Sequence, residues 1–338
     1  MFVRKNFLLG LSLVLLVVAV IFAVLSFELN KSGKSKSDIV KEYPSEIGGT
    51  VFLTLKEKGK ASEVVVFDLS KKSFVTKFSN ENCASLGGGV SLDGDKMAGS
   101  SNCGGDYADD YQLYWGNTKG ETNPITKSDT GVKKEAVWSP DEKQVAFMST
   151  YSEAPTESSK EEAEKVSFSD INRWGIFVSD LLGEEEFIAN AVHPFFSPDS
   201  KSVLALKREG LFLFNIESGQ GKKVHDFGVE VPISMQMDLS DDGKRLVISD
   251  PIKRDITIYD VTSWDDFEMT EKKKIETRDS YVSWPKLHPT NEKYLITEEI
   301  YENGEIHLDA YNLENDQKHQ ILDLSKYDHS RLWVNDWK

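Results

Sequence analysis

Five times along the 338 residues an apolar residue is followed by Ser or His, usually by Pro-Asp or a close relative, then by a lysine and a short β-branched strand. The copies begin Val90-Ser91-Leu92-Asp93-Gly94, Trp138-Ser139-Pro140-Asp141-Glu142, Phe196-Ser197-Pro198-Asp199-Ser200, Leu239-Ser240-Asp241-Asp242-Gly243 and, with one extra residue, Leu287-His288-Pro289-Thr290-Asn291. From Ser91 through Ser139, Ser197 and Ser240 to His288 the steps are 48, 58, 43 and 48 residues. A period near that length is expected of stacked four-stranded units.

Each copy reads as a hairpin. Ser opens the turn, Pro presets φ at the next position, and Asp, Asn or Gly completes a tight reversal between two apolar runs. A third strand follows, carrying an aromatic and then usually a small polar residue, as in Val64 to Leu69, Leu211 to Asn215 and Ile256 to Asp260. A shorter fourth strand comes after it, such as Ser73 to Phe78. The first unit has strands at Thr50 to Leu55, Glu63 to Leu69 and Ser73 to Phe78 but lacks an innermost one, because Lys31 to Ser45 is polar. The last residues, Arg331 to Lys338, supply it, with Trp337 standing where Trp138 and Phe196 stand in their copies. The expectation is an all-β, six-bladed β-propeller closed by the C-terminal strand, which removes an open sheet edge. A seven-bladed ring or an open stack is the alternative.

These Ser-Pro-Asp units resemble the PD40 or WD40-like repeats found in the C-terminal propeller of TolB-type periplasmic proteins and in the propellers of prolyl-oligopeptidase-type peptidases. The resemblance spans about residues 46 to 338. It is close at Ser139 and Ser197, lacks the proline at Ser240, and is loose at Ser91 and His288. It implies fold strongly and activity weakly, since function sits in the loops of such folds. The TolB likeness also implies a role in envelope organisation.

Phe7 to Phe27 contains no charge and follows Arg4 and Lys5. That length suffices for a membrane-spanning helix and exceeds the core of most cleaved signal peptides. The reading is a cytoplasmic head at 1–6, a signal-anchor helix at 7–27, a flexible Lys-, Ser- and Gly-rich stalk at 28–45 and the propeller at 46–338. A cleaved signal, with a weak site near Val24-Leu25-Ser26, is the alternative. Cys83 and Cys103 lie ten residues either side of the turn at Asp93, so two antiparallel strands bring them opposite one another. A disulfide there implies an oxidising compartment, and with it a propeller outside the membrane of a bacterial cell; two free thiols are the alternative.

The net charge is −16; residues 1–44 carry six basic and three acidic residues, a balance of +3, which leaves −19 on the remainder. Nucleic acid is not expected as a partner, because phosphate binding needs basic surface. The long loops between second and third strands suggest an acidic partner-binding rim built from Asp106, Asp109 and Asp110, from Glu161, Glu162 and Glu164, and from Glu298, Glu299 and Glu302. Solvated surface charge is the plainer account of the same residues. No Gly-x-Ser-x-Gly elbow, metal-ligand histidine spacing or twelve-residue calcium loop occurs, so no cofactor is expected. Trp138, Trp284, Trp333 and Trp337 read as core between blades rather than channel lining. The functional expectation is a membrane-tethered protein- or peptide-binding module without enzymatic activity. A carbohydrate-active or other hydrolytic propeller using channel carboxylates is the runner-up.

Overall fold

The computed structural model describes residues 39–57, 60–78, 85–102, 111–117, 121–126, 132–150, 171–325 and 329–338. They contain six four-stranded antiparallel sheets. Five are consecutive in the chain. Blade two comprises Ser85–Val90, Lys96–Ser101, Gln112–Asn117 and Thr122–Pro124; blade three comprises Lys133–Trp138, Val145–Ser149, Gly175–Ser179 and Glu185–Asn190. Blade four comprises Val192–Phe196, Ser202–Lys207, Gly210–Asn215 and Gly221–His225; blade five, Gln236–Leu239, Arg245–Asp250, Asp255–Ser263 and Glu268–Glu276. Blade six comprises Ser280–Leu287, Tyr294–Tyr301, Ile306–Asn312 and Lys318–Asp323. Blade one joins the two ends of the propeller: His329–Trp337 is innermost, followed by Thr50–Glu57, Glu63–Asp68 and Ser73–Phe78. The protein is an all-β, six-bladed β-propeller.

The repeated turn explains its own residue preferences. In four copies the Ser hydroxyl donates to the Asp two positions on, at 2.6 Å from Ser91 to Asp93 and 2.7 Å from Ser139 to Asp141. The same hydroxyl accepts the N–H at or just before the start of the next strand, at Lys96, Gln144, Ser202 and Arg245. The Asp carboxylate in turn accepts a backbone N–H within the turn. The residue after the Asp takes a left-handed conformation, with φ of +76° at Gly94 and +69° at Gly243 but also +57° at Glu142 and +61° at Ser200. In the fifth copy His288 replaces the Ser, and its Nδ1 accepts the N–H of Thr290 and Asn291 at 3.2 and 2.9 Å. Burial and the nearby Arg245 push His288 down to about 4, which leaves Nδ1 free of a proton and able to accept.

Closure occurs as the C-terminal sequence requires. Val51 stands opposite Trp337 and Leu53 opposite Val334, and Thr50 and Lys338 exchange backbone hydrogen bonds at 2.6 and 2.9 Å. Trp337 is 2 % exposed; its indole donates to the Gly48 carbonyl at 3.0 Å, and its ring meets His288 of blade six edge-on at 4.3 Å. Between blades the core is built from facing strands, as where Ala98 and Leu113 of blade two pack with Ala136, Trp138 and Phe147 of blade three.

The stalk is shorter than the sequence reading has it. Val40 bridges to Leu322, Lys41 donates its N–H to the Ile321 carbonyl and pairs with Asp323 at 2.8 Å, and the Tyr43 hydroxyl donates to the Leu69 carbonyl at 2.7 Å. Ile47 is fully buried. Residues 40–47 thus pack on the propeller, with Tyr43 and Ile47 buried among polar neighbours that make the segment read as a stalk by composition. Residues 7–27, Cys83 and Cys103 lie outside the described residues, and among those described no helix is long and apolar enough to cross a membrane.

Candidate functional site

The six inner strands surround a central cavity of about 200 Å³. Its lining begins with a regular backbone defect. The ladder between first and second strands shifts register between Gly87 and Val90, Lys134 and Val137, Val192 and Phe195, and Ser283 and Lys286. In blade one the matching irregularity falls at Asn335. Each is a bulge, which re-aims side chains out of the pleat. At three of them the first bulged residue is left-handed without being glycine: Glu135 at +54°, His193 at +56° and Trp284 at +53°. Such conformations cost about 1–3 kcal/mol each and persist where the surroundings enforce them, which is common at functional sites. All three residues line the cavity.

Glu135 and His193 form a pair across two blades. His193 Nδ1 bonds Glu135 Oε2, and His193 Nε2 lies 3.1 Å from the Ile233 carbonyl. A carbonyl only accepts, so Nε2 carries a proton. Glu135 is desolvated by burial, but His193, Lys134 and Lys286 outweigh that and hold its carboxyl below the usual range. The two side chains are locked together in the channel wall, with His193 only 5 % exposed. Lys134 stands 3.7 Å from Glu135 Oε1, over the Trp174 ring at 4.3 Å.

Below this level lies a second ion pair. Lys286 donates to Asp238 at 2.9 Å, the Leu287 N–H donates to the other Asp238 oxygen at 2.9 Å, and burial pushes Asp238 up despite both. Lys286 lines both the central cavity and a smaller one of about 100 Å³ toward the repeat turns, where Asp241 and Lys338 pair at 2.8 Å. The bulkier apolar lining includes Trp284, Trp333, Phe195, Met237 and two prolines, Pro194 and Pro285. Among the described residues, no protein group accepts from the indole N–H of Trp284 or Trp333. On the blade-two side the wall is backbone: a Cβ at Gly87 would stand 2.0 Å from the Asn335 amide, which bonds Thr54.

The acidic rim changes accordingly. Asp106, Asp109, Asp110, Glu161, Glu162 and Glu164 lie outside the described residues. Glu298 and Glu299 are not on a loop: the strand Tyr294–Tyr301 runs through both, the turn forms only at Tyr301 to Gly304, and both are buried. Glu298 accepts the Leu332 N–H at 3.1 Å across the seam between blades six and one. Glu299 accepts from Ser280, Lys318 and Tyr311. Glu302 alone of the three is exposed, paired with Arg254 at 2.9 Å. The tryptophans divide as well. Trp138 and Trp337 are core, whereas Trp284 and Trp333 line the cavity.

Sequence reasoning missed Glu135, His193, Lys134 and Lys286, although a signal existed. The residue four places before the Ser or His of each copy is Gly87, Glu135, His193, Gln236 and Trp284, and all five line the cavity. That position changes chemistry from blade to blade while the turn stays constant.

No protein-family model matches the chain, and no curated protein matches it. Solved structures do. TolB from Acinetobacter baumannii superposes with a TM-score of 0.60 at 14 % identity, over 85 % of this chain and 67 % of that one. A chain of a nidogen/laminin complex gives 0.56 at 9 % identity, over 85 % and 98 %. An oligogalacturonate lyase in complex with manganese gives 0.52 at 16 %, over 82 % and 78 %. At these identities the likeness is one of fold alone, and the class it defines is the β-propeller. A chain of a protein complex and a lyase share that fold.

Proposed function

We propose that this protein is a binding module of the bacterial envelope, tethered by residues 7–27 with its propeller outside the membrane, and that it receives a segment of a protein partner in the central channel. The observation that carries this reading is the coincidence of three strained, non-glycine bulges at Glu135, His193 and Trp284 on the wall of one cavity. The volume is below the roughly 300–1,000 Å³ of drug-sized pockets, which suits one inserted side chain and its backbone. Trp284 and Trp333 offer apolar faces with free N–H donors, a combination enriched where binding energy concentrates. The TolB and nidogen/laminin likenesses are consistent with it. A Cys83–Cys103 disulfide belongs to the same proposal.

The hydrolytic alternative has less to stand on. The described channel carboxylates are committed, Glu135 to His193 and Asp238 to Lys286 and a backbone N–H, whereas glycoside hydrolysis needs a pair free to act on the sugar. Crosslinking of the full chain in native membranes tests the proposal. Trp284→Ala and Trp333→Ala should each lose the partner that the unaltered protein captures while melting within a few degrees of it. Retention of the same partner by the double variant would refute channel binding.

A further inference from the structure

Away from the channel, a cavity of about 350 Å³ opens between blades five and six, lined by Arg245, Lys272, Lys273, Lys293, Glu292 and Glu314. Its inner wall carries an unusual cation. Arg245 is 6 % exposed, and among the described residues its guanidinium has one partner, the Glu292 backbone carbonyl at 3.3 Å. No carboxylate pairs with it. A buried guanidinium left in that state is costly, since burial removes hydration that only a partner charge or further acceptors restore.

The repeat supplies an internal control. Lys96 occupies the same place in blade two, first in the second strand, with its N–H held by the turn Ser in the same way. There the carboxylate of Glu142, from the turn of blade three, meets the ammonium at 3.0 Å. The corresponding turn of blade six holds the extra residue of the fifth copy and uses His288 in place of Ser. The acidic residue it presents, Glu292, reaches Arg245 through its carbonyl only. The carboxylate that neutralises the cation between blades two and three has no counterpart between blades five and six.

We propose that this inter-blade cavity is a binding site for a small oxyanion, phosphate or carboxylate, with Arg245 as its anchor. Four cationic residues line the cavity against two anionic ones, in a protein whose net charge is −16. A guanidinium offers a planar fork that matches oxyanions in two parallel bonds. Lys272 and Lys293 pair with Asp260 and Glu314 at 3.1 Å on the exposed rim. Such exposed pairs are weak, so both ammonium groups are able to turn toward an anion.

Thermal unfolding of the full chain against inorganic phosphate, with chloride matched for ionic strength and acetate in a parallel series, tests the site. A ligand that binds only the folded state raises Tm with concentration. Phosphate should raise Tm beyond the chloride control, and Arg245→Gln should abolish the rise. The rim variant Lys272→Gln/Lys293→Gln, at exposed positions, should fold normally and weaken the midpoint by about tenfold or less. An equal response to acetate supports the site with a carboxylate as occupant. If Arg245→Gln fails to fold, a weakened phosphate midpoint in the rim variant still supports the site and an unchanged one overturns it. A phosphate response no larger than that of chloride, or one that survives Arg245→Gln, overturns it.

Discussion

The repeat turn shows how much a single hydroxyl does in this fold. Ser139 is buried and at once donates to Asp141 and accepts from the Gln144 N–H at 2.9 Å. Ser139→Ala strands that N–H, and a buried donor without a partner costs about 1–3 kcal/mol; denaturant titration should show the loss with an unchanged m-value. A near-cancellation is expected in the turn of the next blade. Ser200 holds φ at +61° with a Cβ that resists it, while the equivalent residues at Gly94 and Gly243 do not. Glycine there relieves the strain but loses the Ser200 hydroxyl, which accepts the Asp141 N–H of the preceding blade at 3.3 Å, so Ser200→Gly should change stability by no more than about 1 kcal/mol, measured the same way. Glu142 is strained alike, but its carboxylate holds Lys96, so glycine there would lose an inter-blade bond. The residues of the channel obey another logic. Glu135, His193 and Trp284 are left-handed because a bulge puts them there, and the bulge is a property of the paired strands.

Among the elements, the C-terminal strand His329–Trp337 bears the ring's closure. Its seam holds backbone bonds to Thr50–Glu57 on one side and the Glu298 carboxyl on the other. Trp337→Ala removes a nearly fully buried indole and should cost about 3–5 kcal/mol; one cooperative transition shifted to lower temperature is expected, since a propeller without its closing strand exposes two sheet edges. A separate early transition confined to blade one would show instead that the blades unfold independently. The element boundaries were legible because apolar runs and turn residues alternate along the chain. The strand Tyr294–Tyr301 was the exception at one end. Glu298 and Glu299 are acidic and follow one another, so they read as loop; they extend the strand because a backbone N–H on one face and Ser280, Lys318 and Tyr311 on the other satisfy them.

Across the whole molecule the titratable groups give stability an unusual dependence on pH. Burial raises Glu298 to about 8, and burial together with Glu299 raises Asp309 to about 7. Both bind a proton more tightly folded than unfolded, where they titrate in the ordinary range near 4. Their contribution is thus complete below pH 4 and lost as pH rises to 7–8, at up to about 1.4 kcal/mol per unit for each group. The repeat-turn aspartates act the other way. Ser197 and the Lys201 N–H hold Asp199 low against the opposing pull of burial, and Asp141 and Asp242 are lowered by the same kind of bonds although burial is the largest single influence on each. What they contribute is present above the carboxylate range and lost below it. Maximum stability should fall in mildly acidic solution, and Glu298→Gln should flatten the decline between pH 5 and 8; an unchanged slope in denaturant titrations over that range would remove Glu298 from the account.

The amino-acid sequence alone determined the six blades, their turns and the closure by residues 331–338, because those depend on local chemistry repeated at a fixed period: a Ser that satisfies two turn groups, a Pro or Gly that bends the chain, alternating apolar residues that need a partner sheet. Tertiary structure decided the rest. Which residues meet in the channel depends on bulges at the same level of several inner strands, and the positions that meet, Glu135 with His193 and Asp238 with Lys286, are 58 and 48 residues apart. The Arg245 cavity is of the same kind, set by one inserted residue in the turn of a neighbouring blade. Periodicity marks the position, four residues before each turn Ser or His, that faces the cavity; which side chains stand there differs from blade to blade, and what they do together is decided only where the blades meet.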